Sequence, residues 1–224
     1  MKQALCAETL GTLILVMTVV GSGIMAQQLS GGIDGLALIG NTIATGAILV
    51  VLITIFGPIS GAHFNPTVTL SFYFAKEISA SAALGYILGQ VCGGLAGTVI
   101  AHLMFDLPLL QIATTDRASL PLYCSEFIAT AGLLSVILVG RNYRPSSLPL
   151  LVGLYISAGY WFTSSTSFAN PAVTLARMFT DSFSGIAPSA VPFFIFVQLI
   201  AAWPVFKFSS WLISTHKIDT PVRK

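Results

Sequence analysis

The feature that most constrains this chain is a motif written twice, Phe64-Asn65-Pro66-Thr67-Val68-Thr69-Leu70 and Ala169-Asn170-Pro171-Ala172-Val173-Thr174-Leu175. Each copy breaks a strongly apolar stretch with residues that start a helix. Asn suits the N-cap, where its side-chain oxygen accepts a backbone N–H, and Pro suits the first helical position, where no N–H is needed. One Asn-Pro is ordinarily a turn or a cap. Two copies in equivalent places point to two helices that begin inside a membrane, and so to a pore.

The solvent follows from the scarcity of charge. With 8% charged and 55% hydrophobic residues, the chain cannot cover a globule of its size with polar groups, and it belongs in a bilayer. Its ten Lys and Arg are scattered and its net charge is +2, so nothing tracks nucleic-acid phosphates. Cys6, Cys92 and Cys124 all fall in apolar segments and read as small packing residues, with no disulfide framework expected. The first apolar run follows Lys2 and is long enough to span, so it reads as an uncleaved membrane helix.

A hydrocarbon core of roughly 30 Å takes about 20 helical residues. Six stretches meet that length: 4–25, 34–56, 81–104, 122–139, 148–163 and 188–212. All are rich in Gly, Ala, Ser and Thr, which lets helices approach closely in lipid. Segments 65–74 and 170–179 hold ten residues each, about 15 Å of helix or half the core thickness. They read as re-entrant half-helices. The extended stretches before them, 57–64 and 164–169, survive at membrane depth only against protein or a wet cavity. The predicted fold is all-α: six transmembrane helices plus two half-helices in one domain, 1–224.

Basic residues set the orientation. With both termini cytoplasmic, Lys2, Lys76, Arg141, Arg144, Lys217, Arg223 and Lys224 lie inside, Lys207 in or near the last span reads as toward the inside, and only Arg117 and Arg177 lie outside. The halves echo each other: Cys6-Ala7-Glu8 recurs as Cys124-Ser125-Glu126, and Gln90 as Gln198. Three spans per half turn the second copy upside down, which makes 1–110 and 118–224 inverted repeats. The two half-helices then enter from opposite faces and meet near the midplane.

Two helix starts facing each other focus positive potential and repel cations. Asn65 and Asn170 can each offer an amide N–H to a passing oxygen while the other end of the amide caps its helix. Carbonyls of Gly61, Ala62 and His63, and of Ser165, Thr166 and Ser167, would line the wall as acceptors. That pattern suits small neutral polar solutes. Glu8 and Glu126 are acidic residues well inside spans, where a carboxylate is a functional candidate by default; their symmetric placement favours holding the N–H groups of the neighbouring loop over relaying protons. His63 either lines the pore or satisfies a loop carbonyl. His102, near a span end, reads as interfacial, and Gln90 and Gln198 as ties between helices.

Ser60-Gly61-Ala62-His63-Phe64-Asn65-Pro66-Thr67-Val68-Thr69 and Ser167-Phe168-Ala169-Asn170-Pro171-Ala172-Val173-Thr174 resemble the two signature loops of the aquaporin and aquaglyceroporin (major intrinsic protein) family. The resemblance covers nearly the whole chain. It implies a homotetramer in the cell's inner membrane with one pore per subunit and no cofactor. The family pattern carries Arg directly after the second Asn-Pro-Ala, where this chain has Val173. By their offsets from the motifs, the other outer constriction positions are Thr45, Ala158 and Ser167. These four residues are small and uncharged, which predicts an outer mouth wider than a single file of water, without fixed charge or an aromatic slide. Val173, with the segments 160–163 and 164–169, resembles bacterial aquaglyceroporin-like channels associated with arsenic resistance, which implies arsenous acid or a glycerol-like polyol as solute. The alternative within the class is an ordinary water or glycerol facilitator. A secondary active transporter shares inverted repeats and broken helices, but apart from Asp34 at the very start of one span the spans offer no Asp and only two Glu with scaffold-like placement. A non-conducting adhesion protein lacks an extracellular segment of any size. An enzyme lacks a nucleophile with its base, a metal-ligand cluster and a phosphate loop.

Overall fold

The structure, a computed structural model, describes residues 1–218, with side chains through residue 214. Arg223, Lys224 and the side chain of Lys217, used above for orientation, lie outside the described residues. Eight α-helices follow in order: α1 (Lys2–Leu29), α2 (Asp34–Ser60), α3 (Pro66–Phe74), α4 (Ala80–Met104), α5 (Leu120–Tyr143), α6 (Leu148–Phe162), α7 (Pro171–Arg177) and α8 (Val191–Ile218). No strand occurs among the described residues. Five of them, α1, α2, α4, α5 and α8, are long and apolar enough to cross a membrane. The sixth expected span, α6, has only 15 residues, roughly 22 Å, and is lengthened at its start by the 3-10 turn Pro145–Ser147.

α1 packs along α2 and α4, α5 along α6 and α8, and the contact of α2 with α6 joins the two groups. The short helices α3 and α7 each rest on both α4 and α8. Glycine makes the closest crossings. A Cβ on Gly93 would lie 2.2 Å from the Thr9 carbonyl oxygen, and one on Gly97 2.4 Å from that of Leu13. Backbone therefore meets backbone between α1 and α4, the approach small residues allow where lipid supplies no hydrophobic drive between helices. The same holds where α2 crosses α6, at Gly46 and Gly153.

The polarity of the bundle is reversed relative to a soluble protein. Glu8, Gln90, Glu126 and Gln198 are fully buried, whereas Leu84, Leu88, Ile128, Leu154, Phe196 and Trp203 are exposed on its outside. Cys6, Cys92 and Cys124, expected as packing residues, are exposed instead. Cys6 and Cys124 each precede a buried Glu by two positions, about 200° of helical rotation, which turns them outward. His102, expected at an interface, is fully buried. Its Nδ1 pairs with the Leu109 carbonyl at 3.0 Å and its Nε2 with Thr180 Oγ1 at 2.9 Å, tying the α4–α5 connection to the α7–α8 connection. Several boundaries also moved: α1, α2 and α5 run four residues past their expected ends, to Leu29, Ser60 and Tyr143, so that only 61–64 of the expected extended stretch 57–64 is non-helical. α7 stops at Arg177 instead of 179 because Met178 and Phe179 turn away to accept N–H groups from Ala113 and Gln111. The last span begins at Val191, three residues after the expected start.

Candidate functional site

The two Asn-Pro motifs build matching loop ends. Asn65 and Asn170 have extended backbones with φ −154° and −158° and cap α3 and α7. Asn65 Oδ1 accepts the Thr67 N–H at 2.9 Å, and Asn170 Oδ1 those of Ala172 and Val173 at 3.0 and 3.3 Å. Their amide nitrogens cross between the motifs: Asn65 Nδ2 donates to the Ala169 carbonyl and Asn170 Nδ2 to the Phe64 carbonyl, both at 2.7 Å. Each amide spends one N–H on this tie and keeps a second.

Approaching each Asn, the chain passes through left-handed conformations at non-glycine residues, with φ 51° at Ala62 and 49° at Phe64, and φ 62°, 52° and 47° at Thr166, Ser167 and Ala169. Such turns are unfavourable for L-residues and persist where surrounding bonds over-determine them. The buried carboxylates supply those bonds. Glu8 Oε1 accepts Ser60 Oγ at 2.7 Å and the His63 N–H at 2.9 Å, and Oε2 accepts the Phe64 N–H at 2.7 Å and Gln90 Nε2 at 2.8 Å. Glu126 accepts the N–H groups of Ala169 and, at 3.3 Å, Phe168. Gln90 and Gln198 continue the pattern by donating to Thr69 and Thr174 of the half-helices, at 3.0 and 2.9 Å.

A cavity of about 70 Å³ runs past both Asn residues. Each flanking helix gives it one stripe at four-residue spacing: Leu15 and Val19 from α1, Thr45, Leu49 and Ile53 from α2, Leu133 and Ile137 from α5, Val152, Ile156 and Tyr160 from α6. This spacing is what one helical face presents. Across from that mostly apolar surface stand Ala62, His63, Phe64, Asn65 and Val68, then Ser167, Phe168, Ala169, Asn170, Val173 and Arg177. The wall from the long helices is mostly apolar apart from the Thr45 and Tyr160 hydroxyls, and the wall from the loops and half-helices carries His63, Asn65, Ser167, Asn170 and Arg177. The profile of the family described as "Major intrinsic protein" matches residues 1–167. The chain belongs to the major intrinsic protein family.

Similar members include an aquaglyceroporin, AqpS, of Rhizobium meliloti, 52% identical over 92% of this chain and 88% of that protein. A probable glycerol uptake facilitator protein of Thermotoga maritima is 32% identical over 74% of this chain and 78% of its own. Among solved structures, the aquaglyceroporin of Plasmodium falciparum superposes with a TM-score of 0.68 over 94% of each chain at 20% identity, a likeness of fold.

Within this major intrinsic protein the sequence-derived constriction set is only partly assembled. Thr45, Ser167 and Val173 face the cavity. Ala158 does not: it is exposed on the outside of α6, two positions from both Ile156 and Tyr160 and so about 200° round the helix from the lining face. Its expected place is taken by Tyr160, whose hydroxyl sits 3.2 Å from Thr45 Oγ1. The four-residue stripe on α6 was the signal that identifies Tyr160, and a fixed offset from the motif missed it. Of the expected acceptor carbonyl positions, Ala62, His63 and Ser167 belong to residues in the wall, whereas Gly61, Ser165 and Thr166 lie outside it. Gly61 caps α2 with φ 87°, the Ser165 carbonyl accepts Arg117 Nη1 at 3.4 Å, and Thr166 closes a turn onto Thr163. His63 lines the cavity with Nδ1 3.1 Å from Thr69 Oγ1 and its ring 4.3 Å from that of Phe72.

The mouth near α7 is also neither uncharged nor free of aromatics, contrary to the expectation from Val173. Arg177, one turn beyond Val173, is 2% exposed and lines the cavity. Its guanidinium lies over the Phe168 ring at 3.4 Å, and its Nε donates to the Ser184 carbonyl. Arg117 approaches the same ring at 5.1 Å and donates from Nε to the Gly185 carbonyl at 3.1 Å. Burial pulls the Arg117 pKa below its ordinary value, and the charge of Glu126 opposes that fall.

Proposed function

We propose that this multi-pass membrane protein is a passive channel for small neutral solutes: water, glycerol-like polyols, and arsenous acid or related metalloid acids, each moving down its gradient. The observation that carries the reading is the cavity itself. It passes two Asn-capped helix starts, has one mostly apolar and one hydrogen-bonding wall, and counts no Asp or Glu among its lining residues. A solute with several hydroxyls on a compact core matches such a split surface, and a cation finds no counter-charge there. The relative named as an aquaglyceroporin, at 52% identity, supports the same solute class.

In this reading Asn65 and Asn170 form the centre of the pore, and Thr45, Tyr160, Ser167 and Val173 border its outer constriction. Glu8 and Glu126 act as scaffolds for the two loops. The halves 1–110 and 118–224 are inverted repeats, supported by the parallel packing of α1 with α2 and α4 and of α5 with α6 and α8. Both termini are cytoplasmic, the chain sits in the inner membrane as a homotetramer, and it catalyses no reaction. An ordinary water or glycerol facilitator is favoured by one observation, the presence of Tyr160, Phe168 and Arg177 in the wall of a mouth expected to be wide.

Stopped-flow light scattering on proteoliposomes separates these readings. Uptake of glycerol and arsenous acid well above protein-free vesicles, linear in the gradient, is the expected result. Water movement without solute uptake would reassign the chain as a water channel, and accumulation against a gradient would reassign it as a transporter. Val173→Arg is expected to lose solute uptake while retaining water flux; unchanged uptake would remove Val173 from the constriction.

A further inference from the structure

The cavity wall holds one formally charged side chain, Arg177. Among the described residues it forms no ion pair, and the buried Glu126 carboxylate acts on it only through space. Among the described residues the ion pair that forms is Arg141 with Glu77, at 2.6 Å and remote from Arg177 in the fold. Asp181, the acid nearest in sequence, is occupied elsewhere, accepting the N–H and hydroxyl of Thr114, both at 2.9 Å. Arg177 has instead a ring face and a carbonyl: the guanidinium stacks on Phe168 at 3.4 Å and Nε donates to the Ser184 oxygen. Both partners orient a cation without neutralising it. Arg117 adds a second positive charge 5.1 Å from the same ring, held by the Gly185 and Ser165 carbonyls. The position at the end of α7 is itself favourable, since a helix C-terminus stabilises a cation.

We infer that Arg177, seated on Phe168, is the residue that excludes cations at the outer mouth of this channel. The inference rests on the channel reading above. A neutral solute passes the guanidinium without electrostatic penalty, while a proton or metal cation entering the mouth meets a like charge that no ion pair neutralises. Phe168 is the positioning residue: its ring fixes where the charge stands, and it contributes none of its own. Val173, one turn inward on the same helix, is uncharged and leaves this task to Arg177.

The test uses the full-length protein in proteoliposomes, with a potassium diffusion potential imposed by valinomycin, an internal pH dye for proton entry, and glycerol uptake measured on the same preparation. Wild type is expected to take up glycerol and to admit protons no faster than protein-free vesicles. Arg177→Gln should raise proton entry about tenfold or more, with glycerol uptake on the same preparation reporting that an open pore has assembled, because a unit charge about 5 Å away at an effective dielectric near 20 outweighs a decade in rate. Arg177→Lys keeps the charge and should stay within about twofold of wild type. Proton entry unchanged in Arg177→Gln, with glycerol uptake intact, overturns the inference and leaves the channel reading standing. Absence of neutral-solute uptake by wild type overturns the channel reading, and the inference with it. Should Arg177→Gln fail to assemble, Val173→Asp reads the same barrier by placing a carboxylate one turn from the guanidinium: raised proton entry supports the inference and unchanged entry overturns it.

Discussion

Removing the carboxylate of Glu8 should collapse the first half of the site, and the structure sets the size of the effect. Four donors converge on it at 2.7–2.9 Å: Ser60 Oγ, the N–H groups of His63 and Phe64, and Gln90 Nε2. In Glu8→Ala, Ser60 and Gln90 can turn to other acceptors, and Gln90 already donates to Thr69. The two backbone N–H groups cannot turn, because left-handed residues at Ala62 and Phe64 fix their direction. Each buried, unsatisfied donor costs about 1–3 kcal/mol, so the substitution is expected to cost about 2–6 kcal/mol. For a chain of this length that is a fall of roughly 5–20 °C in the unfolding midpoint. Glu8→Gln keeps one acceptor oxygen and should cost about half as much, since its amide N–H₂ then faces a donor. The assay is intrinsic fluorescence of the tryptophans during heating of detergent-purified protein, with glycerol uptake on reconstituted samples. Because Gln90 shares the carboxylate, Glu8→Ala and Gln90→Leu should be non-additive by about 1 kcal/mol. A midpoint within about 2 °C of wild type for Glu8→Ala would show that the loop holds its shape without the carboxylate, and would refute this reasoning.

Two further outcomes follow from the same contacts. Asn170→Ala removes the cap of α7 and the tie to Phe64 together; about 2–3 kcal/mol of stability should be lost and glycerol uptake should fall sharply, measured on the same two assays. Gly97→Val places side-chain carbon against the Leu13 carbonyl, 2.4 Å from where its Cβ would stand; monodisperse protein by size-exclusion chromatography should be lost, and a stable, well-folded variant would mean α1 and α4 can separate at small cost.

Local chemistry made much of this protein readable in its sequence. Helix capping depends on residues within one turn, so Asn65-Pro66 and Asn170-Pro171 announced where α3 and α7 begin. Spans declared themselves because lipid demands long apolar helices and penalises every exception. The same penalty singled out Glu8 and Glu126, since a carboxylate in a span requires partners. What a lining residue is, by contrast, depends on how each helix is rotated and how each connection runs. α6 turns Tyr160 inward and Ala158 outward where Gly46 and Gly153 let it approach the α2 backbone closely. Arg177 reaches the cavity because the α7–α8 connection offers it the Ser184 carbonyl and the loop before Asn170 offers it the Phe168 ring. His102 is buried because two connections distant in sequence close over it. The sequence by itself determined the helices, their starts and the need for internal partners, all of which are settled by near neighbours and the solvent. Only the tertiary structure decided which face of each helix meets the pore and where its charge stands, because those follow from contacts between segments a hundred or more residues apart, as between Asn65 and Ala169.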